Sequence, residues 1–404
     1  MAKSIQMSES RRVVQRFFMG VLASPLSLLI LLAAPIYRVR FGIFPVDEIG
    51  PLTRNPHHYL WAGKSSKGVF GVDMWVYKPG TFVSNHLVLA KWKMLLRVKS
   101  SWFWWQCAQL TLRLGGARHR IDIERSWAKL PSRQFDFQLS LDANEVNQFR
   151  EQMGHIRLDL GEPFIALCIR DSSYKQRNRR ESLETDRKEE FRNHRIADFV
   201  EMAKAVSELG VSVVRMGVVV NEPMPHVGNR VFDYASSGLR TELADIGLLS
   251  QCQLCVTTSL GVDQLAAISG KPRCVVNHFP PRATFDFYPW DFIIPQRVVD
   301  MTADRVLTLR EALTNDAVRR FRGSEELEDA GLGLVKNSPT EIRDVVLEAL
   351  AAGYSAQHLD ETDARRQARY WEVLSEYVEI PSMSLQHRPR LGSVFLRENE
   401  WWLQ

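Results

Sequence analysis

The residues of this chain best suited to chemistry are polar groups that follow apolar runs. The run Pro163–Ile169 is continuously apolar and gives way to Arg170-Asp171, and the run ending in Val256 gives way to Thr257-Thr258-Ser259, with Gly261 and Asp263 just beyond. An arginine presents a planar fork of donors that matches a phosphate bidentately. Hydroxyls and amides at a helix start can face an anion, although the same hydroxyls also suit ordinary capping. Arg170-Asp171 would equally make a surface ion pair, so spacing alone leaves these uses open. His194 and Arg195 open the helix that follows in NHRIADF, and Met216-Gly217 stand near the end of the run VSVVRMGV. Asp233 lies in the short run NRVFDYA. Asp47-Glu48 follow FGIFPV, where an acid could act as a general base or simply be solvated in a loop.

The elements that would position these groups follow from periodicity. A strand that is apolar on both faces belongs to a parallel sheet covered on both sides. From residue 163 onward strand and helix alternate, which predicts a parallel, doubly wound sheet. Ligands of such sheets bind outside the carboxyl ends of the strands, where Arg170, Met216-Gly217 and Thr258-Ser259 would emerge. The stretch from Gln253 to His278 is read as strand, polar loop, short helix, Gly-Lys-Pro stop and strand, with a role as one wall of a phosphate site.

Upstream, FGIFPV and VDMWVYKPG are strands. Ser84–Val98 is a helix with Ser84 as N-cap and with Asn85 and His86 in its first turn, and Leu139–Gly154 is a helix capped at Asp142. The tryptophan-rich segment Ser101–Gly116 is assigned to the core. Lys175–Arg192, dense in arginine, is expected to be a lid or solvated loop. The domain plan is an N-terminal segment over 1–40, an acceptor domain over 41–160, a second Rossmann-like domain over 161–352, and a helical tail over 353–404 that packs back on the first domain.

Composition narrows the class. A chain of 404 residues, 45% hydrophobic and 25% charged, exceeds what one core sustains and predicts two globular domains or three. A net charge of +5 is too modest for a general nucleic-acid binder. Phe17–Tyr37 carries no charge and is flanked by arginines at 11, 12, 16, 38 and 40. It approaches the roughly 20 apolar residues that a bilayer span needs, which predicts an N-terminal membrane anchor and a globular part at the cytoplasmic face of the inner membrane. The five cysteines, 107, 168, 252, 255 and 274, are expected to be reduced and buried, and no zinc set is complete. HExxH, a Ser-His-Asp elbow, a Walker loop and GxGxxG are all missing from the sequence, so covalent and metal catalysis have no motif to support them.

Taken together, FGIFPVDEIGPL, KPGTFVSNHLVLAKW, IALCIRDSSY, NHRIADF, VVRMGVVVNEPMPH, VFDYA, TTSLGVDQLAAISGKPRCVVN and RPRLGSVFL resemble a family of bacterial glycosyltransferases associated with surface-polysaccharide genes. The resemblance spans nearly all of the chain after residue 40. It implies α/β architecture with two Rossmann-like, GT-B-like domains. The expected partners are a nucleotide-sugar donor on the second domain and a lipid-linked or surface-glycan acceptor on the first. No cofactor or metal is expected. A distant likeness to the fucosyltransferase pattern implies that Arg170 holds the diphosphate. His194, Arg195, Met216, Gly217, Thr258, Ser259 and Gly261 are the further candidates for binding the donor. Asp233 or Asp263 would bind ribose or sugar hydroxyls, and Asp47 or Glu48 would be the base. Where relatives carry an Arg or similar polar residue before the first Ile-Gly, this chain has Asp47-Glu48. Two other readings fit the same plan: a nucleotide-sugar epimerase or hydrolase, and a non-catalytic scaffold of a polysaccharide assembly complex.

Overall fold

The structure, a computed structural model, describes residues 9–61, 70–121, 123, 139–171, 190–281, 283, 287–353, 359–379 and 388–404, with side chains described from residue 18. Most of the expected lid, residues 175–189, lies outside the described residues. The chain divides into two compact units, Met1–Glu124 and Arg125–Gln404.

Unit 1 is a small parallel α/β unit. Strands β1 (Arg38–Ile43), β2 (Gly71–Val76) and β3 (Val98–Lys99) pair in the order β1-β2-β3. Four helices accompany them: α1 (Glu9–Ala33), α2 (Ile49–Trp61), α3 (His86–Leu95) and α4 (Trp102–Gly115). The N-cap of α3 is Asn85, one residue beyond the expected Ser84: its side chain accepts from the Val88 amide at 2.8 Å, while Ser84 donates its hydroxyl to the Val46 carbonyl. Between β1 and β2, Arg40 and Asp73 pair at 2.6 Å, and Tyr59 of α2 donates to the same carboxylate. Phe41, Trp75, Val76 and Trp92 are buried, at 0–1% exposure.

The first helix corrects the expectation of a membrane anchor. Among the described residues, no helix is long and apolar enough to cross a membrane. Ala23, Ser27 and Ile30 of α1 and Ala34 just after it, spaced about one helical turn apart, are buried. Ser27 bonds across to the Cys107 carbonyl of α4 at 3.3 Å, and Ala23 and Ile30 share a core with Cys107, Ala108 and Phe41. Small side chains at three of the four positions let the helix lie close against α4, so this stripe is spent on intramolecular packing. Phe18, Val21, Leu22, Leu28, Leu29 and Leu32, off that stripe, are exposed. The anchoring segment of the expected fold class, and the inner-membrane localisation and membrane-surface partner that rested on it, lose their support.

Unit 2 is built on a large parallel sheet. Its strands, in chain order, are β4 (Phe164–Cys168), β5 (Ser212–Met216), β6 (Val231–Phe232), β7 (Leu254–Thr257), β8 (Arg273–His278) and β9 (Phe292–Pro295). Strands β10 (Arg297–Asp300), β11 (Arg305–Val306) and β12 (Leu332–Val335) form a separate antiparallel sheet, and β13 (Arg390–Leu391) returns to the large one. The large sheet runs β13-β9-β8-β7-β4-β5-β6, and every neighbouring pair is parallel. From β4 the chain builds outward through β5 to β6, then returns to β4's other side with β7 and builds the opposite way. The order therefore reverses between β4 and β7, the place where doubly wound sheets open a ligand crevice.

The apolar runs produce this sheet directly. All residues of β4, β5, β7, β8 and β9 are buried, which a half-covered sheet with alternating exposure would not allow. Helices α5 (Ala143–His155), α6 (Val200–Glu208), α7 (Glu242–Gln251) and α8 (Gln264–Ile268), and a later helix over Pro339–Ala352, belong to the same unit. Asp142 caps α5 in a full capping box. On the 339–352 helix, Ile342, Val345 and Val346 are at most 1% exposed in a core shared with Ile165, Val256 and Ile293. Burying one such side chain contributes about 1.5–3 kcal/mol.

The tail departs from the expected plan. Tyr370, Trp371, Leu396 and Trp402 enter the core of unit 2, and β13 pairs with β9. The boundary between units falls after Glu124. The physical reason is the unpaired edge of β9, which β13 covers with main-chain bonds.

Candidate functional site

At the reversal point, the carboxyl ends of β4 and β7 are tied together. The Arg170 amide donates to the Thr258 hydroxyl at 3.2 Å, and the Thr258 amide donates to the Cys168 carbonyl at 3.3 Å. Thr258 is thus spent on joining the two strand ends. Ser259 then turns with φ +60°, a left-handed conformation uncommon for a non-glycine residue, and its buried hydroxyl oxygen has no partner among the described residues.

A strap over residues 190–194 lies across this rim, and four of its consecutive residues are each fastened to a different strand end. The Phe191 carbonyl accepts from Gln296, just after β9, at 3.2 Å. Arg192 donates to the Ser259 carbonyl after β7. The Asn193 carbonyl accepts from Lys336, just after β12, at 2.7 Å. The His194 amide donates to the Arg170 carbonyl after β4, at 2.9 Å. Together these bonds bring Arg170, Arg192 and Lys336, distant in sequence, around one imidazole.

That imidazole is His194. It is 5% exposed, and neither ring nitrogen has a hydrogen-bond partner among the described residues. Burial first, and then the fields of Lys336, Arg170 and Arg192, push its pKa down to about 3, so the ring is neutral. The Asn193 side-chain oxygen and the Gln296 side-chain oxygen are likewise buried without partners. Buried polar atoms are ordinarily paired; here the two His194 nitrogens and the Asn193 and Gln296 side-chain oxygens lie unpaired near Arg170, Arg192 and Lys336.

The other expected residues fall into two groups. Met216 is buried at the end of β5, beside Cys168 of β4, and Gly217 packs so closely that a Cβ would lie 2.7 Å from Val220. Asp233 accepts from the Met224 amide at 2.8 Å and stands 3.7 Å from Arg215, a buried arginine that also donates to the Glu222 carbonyl. Burial lowers the Arg215 pKa. Asp171 accepts from the Asn221 amide at 2.8 Å, so this side of the rim is organised by backbone bonds to carboxylates.

Asp263 is 1% exposed, and its carboxylate accepts from Thr257 at 3.0 Å and from Gln264 at 3.2 Å. Burial pushes its pKa up. These bonds hold the loop that carries Ser259 and Gly261. The expected helix start here is a 3-10 turn over Gly261–Asp263 leading into five residues of α8, too short for aligned amides to act as an anion site. Arg195 is exposed and N-caps the turn Ile196–Phe199 through its backbone. Asp47 and Glu48 are exposed in unit 1 after β1.

Sequence reasoning missed Lys336 and assigned Arg192 to a loop. Lys336 follows a short strand of a separate sheet and carries no motif; only the fold brings it to the strap. Arg192 had a usable signal, being only two residues from the helix entry at His194.

No family model and no curated protein matches the chain. Solved structures that resemble it include the ADP-heptose LPS heptosyltransferase II of E. coli, at 12% identity and a TM-score of 0.36, covering 63% of this chain and 90% of that one. A family 9 glycosyl transferase of Veillonella parvula reaches a TM-score of 0.44 at 10% identity over 78% of this chain and 98% of its own. E. coli heptosyltransferase WaaC with ADP-2-deoxy-2-fluoro heptose gives 0.29 at 10%, covering 63% and 93%. Likenesses of this size do not fix an activity.

Proposed function

We propose that the chain is a glycosyltransferase that takes a nucleotide-sugar donor and transfers the sugar to a glycan acceptor. One observation carries this reading: at the strand-order reversal of the large parallel sheet, Arg170, Arg192 and Lys336 gather around a buried, neutral His194. Cations converging on a doubly wound rim suit a diphosphate, and the sequence resemblance supplies glycosyl transfer as the reaction that would use it. In this reading the arginines and the lysine stabilise the charge that grows on the leaving diphosphate. Met216 and Gly217 form the floor beside it, and Asp233 keeps Arg215 and the 221–224 segment in place. Thr258, Ser259 and Gly261 shape the loop that Arg192 grips, with Asp263 fixing it from inside. Arg195 serves from outside the strap. Asp47 or Glu48 would take the proton of the acceptor hydroxyl. A metal ion is not required for charge neutralisation with three cations in this position.

The test is turnover of a panel of UDP-, GDP- and ADP-sugars with and without glycan acceptors. Acceptor-dependent release of nucleoside diphosphate, lost in Arg170→Ala with the fold intact, supports the reading. Turnover without any acceptor would replace it with an epimerase or hydrolase.

A further inference from the structure

His194 has a feature that anion binding by the arginines does not need. Its ring is sealed beneath the strap with two unpaired nitrogens, and the charges acting on it, Arg170 after β4, Arg192 in the strap and Lys336 after β12, are all positive. Buried histidines elsewhere differ from it: His119 pairs one nitrogen with the Val39 carbonyl at 2.7 Å, and His278, whose two nitrogens are also unpaired, is shifted by burial alone, whereas three cations act on His194. Among the described residues, His194 hydrogen-bonds through its backbone alone, to the Arg170 carbonyl. An anion that cancels the surrounding positive field favours the imidazolium, in which both ring nitrogens become donors toward it.

We propose that His194 takes up a proton from solvent when a diphosphate binds at the rim, so that binding and protonation are coupled. This rests on the proposed diphosphate site and concerns its regulation and charge selectivity. The balance is simple: the free site holds neutral His194, the bound site holds imidazolium and the anion, and the proton comes from buffer. By linkage, affinity then rises as pH falls, by up to about tenfold per pH unit while uptake is complete. The coupling favours the ligand with the greater negative charge, so a free nucleoside diphosphate gains more from it than a sugar-esterified one. In transfer, the leaving diphosphate would therefore meet a proton donor as its charge grows.

The experiment is titration calorimetry of the full chain with inorganic pyrophosphate, and with ADP, GDP and UDP, in two buffers of different ionisation enthalpy at pH 6. The wild type, His194→Asn and His194→Gln are compared, with thermal melts to confirm folding. The ligand's own protonation is common to all three proteins and cancels. Greater proton uptake by the wild type than by either variant, with the variants still binding, is the expected result. Equal uptake in all three overturns the coupling while leaving the diphosphate site standing. Absence of binding to every probe instead overturns the diphosphate site itself. Should both variants fail to fold, the wild type decides: affinity for a probe that rises from pH 7 to 5 supports the coupling, and affinity that stays flat or falls contradicts it.

Discussion

Two arginine clusters sit on the same sheet of unit 2 and are built on opposite principles. At the amino end of β8, Arg273 and Asp291 are both fully buried and pair at 2.5 Å. Asp291 also accepts the Arg273 amide at 2.9 Å and the Tyr288 amide at 2.9 Å, and the rings of Phe287 and Tyr288 cover the guanidinium. At the carboxyl rim of β4 and β7, Arg170 and Arg192 share their surroundings with Lys336 and a neutral histidine whose nitrogens are unpaired. A buried arginine is therefore not a functional signal by itself. What separates the two ends is the group at the centre: the first cluster closes on a carboxylate, while at the second the fields of Arg170, Arg192 and Lys336 act on a neutral imidazole.

The largest expected effect breaks the closed cluster. Asp291→Ala leaves the Arg273 charge buried and uncompensated, and should cost about 3–5 kcal/mol in denaturant-induced unfolding. Arg170→Ala at the rim of β4 and β7 should instead leave stability nearly intact and weaken diphosphate binding by about 1.5–3 kcal/mol, roughly 10- to 100-fold. If the two substitutions destabilise equally, the distinction between the ends collapses.

Acid sharpens the contrast. His194 and His278 are buried, with pKa values pushed down to about 3 and about 4, burial being the main cause for both. Each lies below the ordinary 6.5, so the unfolded chain binds the extra proton first. Stability is thus full above pH 6.5 and falls as pH drops toward the folded values. Between pH 7 and 5 the loss should reach about 2 kcal/mol for each histidine, read from melts of the unliganded protein. Pyrophosphate at saturating concentration should shrink the share due to His194 and leave that of His278. The smallest effect belongs to Lys336, which is exposed: Lys336→Ala should weaken binding by about 0.2–1 kcal/mol, and less in high salt.

The strand ends were legible in the sequence because β4 is apolar on both faces, which only a doubly covered parallel sheet explains, and its last apolar residue delivers Arg170 to the rim. The strap was not legible. Of its four anchors, Gln296, Ser259 and Arg170 follow strands of the order β9-β8-β7-β4 and Lys336 follows β12 of the other sheet, an adjacency that local patterns do not encode. The first helix shows the opposite failure. Hydropathy counts apolar residues all round a helix, but Ala23, Ser27, Ile30 and Ala34 form a stripe of mostly small side chains fitted to α4, and that distinction lies in side-chain size and not in polarity.

The central claim, that the rim between β4 and β7 is a diphosphate site, is tested most directly by titration calorimetry of the wild type and Arg170→Ala against ADP, GDP and UDP at pH 7. The account predicts saturable binding of at least one of them and a loss of about tenfold or more in the variant, with unchanged melting temperature. Equal affinity in both proteins, or no binding to the wild type, would contradict it.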